Sequence, residues 1–80
     1  MQNDLNYQII VVGAVRYALG RRTYVVGATV EYVLANIENL TRETRKTIVR
    51  DIQEQKDLGW ETDIANWHKL LNELEQSNEL

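Results

Sequence analysis

A single histidine, a single serine and no cysteine limit the chemistry open to this 80-residue chain. Without cysteine there is no thiol nucleophile, no disulfide and no thiolate metal site. One histidine, His68, cannot build a histidine-rich metal centre, and no carboxylate stands at ligand spacing from it. It reads as a half-exposed surface residue beside Trp67. Ser77 falls in a C-terminal tail, residues 77–80, expected to fray. Asp51 with Glu54, and Glu73 with Glu75, read as solvated helix faces. Gly13, Gly20, Gly27 and Gly59 are isolated, so no phosphate-cradling loop exists. No catalytic residue, metal site or cofactor is expected, and the chain does not read as an enzyme.

Arginine is the residue with more to offer. Arg16, Arg21 and Arg22 crowd "RYALGRRTYVVG" together with Tyr17 and Tyr24. The negative end of a helix attracts cations by a few tenths to about 1 kcal/mol each, which accounts for one or two of the three. A third suggests recognition, because tyrosine and arginine are the usual components of protein-binding hot spots. Arg16, Tyr17, Arg21, Arg22 and Tyr24 are therefore the first candidate partner-binding cluster. Arg42, Arg45, Lys46 and Arg50 form a second, since steps of 3, 4 and 8 put them along one side of a helix. Such a stripe either meets acids from a later helix, with Asp63, Glu73 and Glu75 as candidates, or awaits an external ligand.

Four helical segments are expected to carry these residues. The first runs from Asn3 or Asp4 to about Leu19 and stops at Gly20, a residue suited to the left-handed end of a helix. The second follows Thr23, with Tyr24–Val26 either extended or helical, and reads as helix from Gly27 to near Asn39. The third opens at a Thr41 cap, carries a sparse apolar stripe of Ile48, Val49, Ile52 and Leu58, and closes at Gly59. The fourth is capped by Thr62 or Asp63 and bears Ile64, Trp67, Leu70, Leu71 and Leu74 on one face. Proline is absent, so nothing interrupts these segments. The expected fold is all-α: one four-helix, bundle-like domain over residues 1–80 with short connections.

The first segment is apolar around nearly its whole circumference, and such a helix should be buried on all sides. Three neighbours can hardly wrap it in so small a domain. A homodimer through this helix is expected, with Ile9, Val12 and Val15 as its interface. The longest apolar run, Ile9 to Val15, is far shorter than the roughly 20 residues of a membrane span, so no membrane role is expected. Residues 1–4 lack the basic region of a secretory signal, which points to the cytoplasm. Charge is split along the chain. Residues 1–50 carry +3 and residues 51–80 carry −6, for an overall −3.

The run "VRYALGRRTYVV", a helix containing "EYV" and the later "LGWETDIANW", with Asp63 and Trp67, resemble small proteins encoded by phages and prophages that share an RYALGRxTY motif. The similarity spans most of residues 14–70. Gly27 departs from the pattern where a serine-type helix cap is expected. The resemblance implies an accessory protein of the bacterial cytoplasm that binds and inhibits a host protein. A defence nuclease is one such target, which would make the chain an anti-CRISPR-like inhibitor. It brings no catalytic residues. The alternatives are a nucleic-acid-binding regulator using the Arg42–Arg50 stripe, or a structural phage component.

Overall fold

Trp67, Leu70 and Leu74 recur at intervals of 3 and 4, and all three are fully buried. That spacing gathers them on one side of a helix, where each large side chain withdrawn from water contributes about 1.5–3 kcal/mol. In a computed structural model that describes residues 5–20 and 24–78 (Tyr24 and Asn78 by backbone alone), this helix packs on two others. The elements are α1 (Leu5–Ala18), α2 (Tyr24–Ala35), a 3-10 turn (Ile37–Asn39), α3 (Arg42–Glu54) and α4 (Glu61–Asn78). The protein is a small all-α helical bundle. α4 packs on α2 and α3, and α1 packs on the same pair. One core joins Val11 and Val15 of α1, Val26, Val30 and Val33 of α2, Ile48 and Ile52 of α3 and the α4 stripe.

Several expected boundaries move, each for a local reason. Tyr24 to Val26 is helical. The second helix stops at Ala35 instead of running to Asn39. There Asn36 N–H bonds Val33 O, and the chain tightens into the 3-10 turn. Thr41 does cap α3, its hydroxyl accepting from Thr44 N–H at 3.1 Å. α3 ends at Glu54, not Gly59, because Gln55 turns extended. α4 starts before Thr62 and Asp63. Asp63 instead sits within the first turn and its carboxylate accepts from Trp60 N–H at 3.3 Å, one half of a capping box. Helix continues through Ser77, whose hydroxyl accepts from Arg45, so the expected frayed tail begins too early; residues 79 and 80 lie outside the described residues.

Gly20 has the left-handed backbone expected of it, with φ +85°. Gly59 is bound more tightly. Its φ is +99°, and a Cβ there would come 2.8 Å from Asp63 Oδ2. Gly59→Ala is therefore expected to cost about 2 kcal/mol, from the left-handed strain and from displacing the α4 cap. A urea melt checks it. Gly13→Ala, where a new Cβ meets nothing within 4 Å, should stabilise the monomer instead.

Two long-range ties fix how α1 lies. The buried Gln8 amide donates to Asn39 O at 3.0 Å and accepts from Thr41 N–H at 3.0 Å. Arg16 Nε donates to Asp51 Oδ2 at 2.7 Å. Early meets early and late meets late, so α1 and α3 run in the same direction, side by side.

Candidate interaction surface

α1 has two faces, and both are apolar. Gln8, Val11, Val15 and Ala18 are buried against the core. On the other side Leu5, Ile9, Ile10 and Tyr17 are 72, 59, 68 and 60% exposed. Half of the circumference expected to be covered thus faces outward in the single chain. Of the proposed interface residues, Ile9 is exposed and Val12 is half-buried. Val15 is 0% exposed and belongs to the core, so it is no interface residue. Steps of 3 from Ile9 rotate about 60° backward each time and carry the set from the outward face into the core. The outward set steps from Leu5 to Ile9 and Ile10, then Gly13 and Tyr17.

Beside this face, between α1 and α3, runs a groove of about 550 Å³. Leu5, Ile9 and Val12 form its α1 wall, and Glu43, Thr44 and Thr47 its α3 wall. Glu43 stands in the first turn of α3, at the end where Gln8 meets Thr41, while Arg16 lines the opposite end. The groove therefore carries an anion at one end and a cation at the other.

Arg16 has a structural job as well. Its pair with Asp51, which is itself largely covered, holds the guanidinium proton more firmly than usual and ties the C-terminal turn of α1 to α3. Tyr17 projects outward beside it. Arg21, Arg22 and the Tyr24 side chain lie outside the described residues.

The second cluster divides. Arg45 turns toward α4, donating to Ser77 Oγ and to Thr41 O. Arg42, Lys46 and Arg50 remain on the exposed side at steps of 4, a row about 12 Å long. The α4 acids do not meet them. Asp63 is buried at its cap, and Glu75 accepts from Gln53. Among the described residues, Arg42, Lys46 and Arg50 have no hydrogen-bond or ion-pair partner.

Sequence reasoning missed three features here. Gln8 lies among apolar residues and looks like an outward polar break, and nothing local marks its distant partners. Asp51 as the anchor of Arg16 is equally non-local. The third is the tyrosine pair Tyr7–Tyr32, whose hydroxyls are 3.5 Å apart across α1 and α2. Sharing a hydrogen bond with Tyr32, and partly desolvated, the Tyr7 hydroxyl is pushed up to about 12. A folded-state value above the unfolded one favours the fold fully below pH ~10 and is lost as pH rises toward 12. In Tyr32→Phe, Tyr7 should titrate closer to the ordinary tyrosine value, read by tyrosinate absorbance against the parent.

His68 is exposed on α4. Among the described residues no three His, Asp or Glu side chains gather as a metal site, and no helix is long and apolar enough to cross a membrane. No protein-family model, curated protein or solved structure matches the chain. The class that fold and surface define is a small helical domain with an uncovered apolar helix face and a charged margin.

Proposed function

We propose that this chain is a non-enzymatic binding protein that docks on a bacterial host protein and inhibits it, as the phage resemblance implies. A defence nuclease is one target class in keeping with that resemblance, and the bacterial cytoplasm is the proposed place of action. One observation carries the binding reading: four large apolar side chains, Leu5, Ile9, Ile10 and Tyr17, stand exposed on one face of one helix. Monomeric proteins rarely keep so concentrated a patch unless it meets something. An apolar centre on α1 with charges along α3 also follows the usual layout of a protein interface, dry in the middle and polar at the rim. Capture from a bacterial lysate tests it, with the parent chain and an Ile10→Asp, Tyr17→Asp variant. The expected result is one host protein, held after nuclease treatment, inhibited by the parent and bound at least tenfold more weakly by the variant. No captured protein, or equal binding by both chains, overturns it.

The second reading, a nucleic-acid-binding regulator, is favoured by the row Arg42, Lys46 and Arg50, which no described acid neutralises. Three cations in line could follow a phosphate backbone. Against it stands the overall charge of −3. A gel-shift titration at two salt concentrations separates the two. Retention that weakens steeply with salt and disappears in Arg42→Glu, Lys46→Glu, Arg50→Glu supports this second reading, and no retention at micromolar protein removes it.

A further inference from the structure

We infer that the outward face of α1 is covered by a second copy of this chain, packed antiparallel about a two-fold axis with Gly13 near the crossing. The inference rests on the reading that this face meets a polypeptide, and it names a second copy as the occupant of the free protein, in competition with the host protein for the same face. Three observations select a second copy.

The face is self-complementary in shape. Ile9 and Ile10 form a ridge, and Gly13 and Ala14, four residues on, form a notch beside it. A Cβ at Gly13 would meet nothing within 4 Å, so a neighbouring helix has room to approach the backbone. An antiparallel two-fold between Val11 and Val12 seats each ridge in the other notch, and the same residues serve both copies.

Charge fits the same arrangement. Glu43 and Arg16 lie at opposite ends of one groove. Reversing the direction of the second helix exchanges those ends, so Arg16 of each copy comes to the end that carries Glu43 of the other. Asp51 is held by Nε and only distantly by one terminal nitrogen, so guanidinium donors remain for a second carboxylate. A lipid surface would give Arg16 a phosphate but would leave Glu43 with no cation.

Area is the third. The four apolar side chains present on the order of 500 Å², near a tenth of the 5208 Å² surface, which is the share a standard interface takes from a small protein. The groove walls and Arg16 extend that patch toward the usual ~800 Å² per partner.

Light scattering coupled to size exclusion, from about 5 to 200 µM, is the test. The parent is expected to pass from monomer to dimer within that range. Gly13→Leu should raise the dimer dissociation constant at least tenfold while melting no lower than the parent at concentrations where both are monomeric, because the new side chain is free in the monomer and obstructs only the crossing. Arg16→Glu and Glu43→Arg should each weaken the dimer, and the double swap should restore it, although the Arg16–Asp51 pair stays broken. A parent monomeric throughout overturns the proposal, whether or not it sediments with anionic vesicles. So does a Gly13→Leu dimer of unchanged affinity, or a double swap without rescue. If the parent is monomeric while Ile10→Asp, Tyr17→Asp still weakens host capture, the face belongs to the host protein and the binding reading survives.

Discussion

Trp67→Ala is expected to remove about 3–5 kcal/mol of stability, among the larger losses a core truncation gives. The ring is fully buried where α4 meets the rest of the bundle, in the same core as Val26, Val30 and Ile48. Truncation loses the transfer energy of the ring and leaves a cavity that neighbouring helices close only in part. A domain of this size commonly has about 4–12 kcal/mol in total, so most of the stability would go. The melting midpoint should fall by roughly 12–40 °C at matched protein concentration. Trp67→Phe is expected to cost less than half as much. It keeps an aromatic ring in the core, and it removes an indole N–H that has no hydrogen-bond partner among the described residues. Equal losses for Ala and Phe would mean that the indole as a whole, and not ring volume, sets the cost.

Trp67 also marks how far the fold is legible in the sequence. Its helix has a clear period: Trp67, Leu70 and Leu74 repeat at helical spacing, and polar residues fill most of the opposite side, so the buried side can be read directly. Ile64, assigned to the same face, sits at its edge and is 36% exposed. Thr41 and Gly20 are equally readable, because a cap and a left-handed terminus are local events. α1 is the opposite case. Apolar residues all round give no period, and without a period the phase of the helix is undetermined. Its type can be read, but its inward side cannot, which is how Val15 comes to be placed on the interface while Ile10 is overlooked. The α3 cations fall between these cases. Their common side follows from spacing, but their lack of an ion-pair partner among the described residues depends on where α4 aims its acids, and Asp63 is committed to its cap.

The same dependence on distant partners makes Gln8 the more informative target. Gln8→Leu is expected to cost about 3 kcal/mol, although it replaces a buried polar side chain with an apolar one of similar size. The gain in apolar burial is outweighed because Asn39 O and Thr41 N–H each lose the partner that satisfied them. Those groups sit where the 3-10 turn hands over to α3, so the loss also loosens the hold of α1 on that junction. Gln8→Glu separates the two bonds. When protonated, its carboxyl can still donate to Asn39 O and accept from Thr41 N–H, close to what the amide does. When ionised, it loses the donor and places a charge at a site only 5% exposed. Its folded-state pKa should therefore lie above that of an unfolded glutamate. By linkage, the variant is nearest to the parent below the unfolded value and loses stability as pH rises through the folded one. Urea melts at acid and neutral pH should show Gln8→Glu losing ground on the parent between them, while the deficit of Gln8→Leu stays constant. A Gln8→Glu deficit that does not change with pH would mean that the pocket admits water freely, and that the amide is not the clamp between α1 and the start of α3.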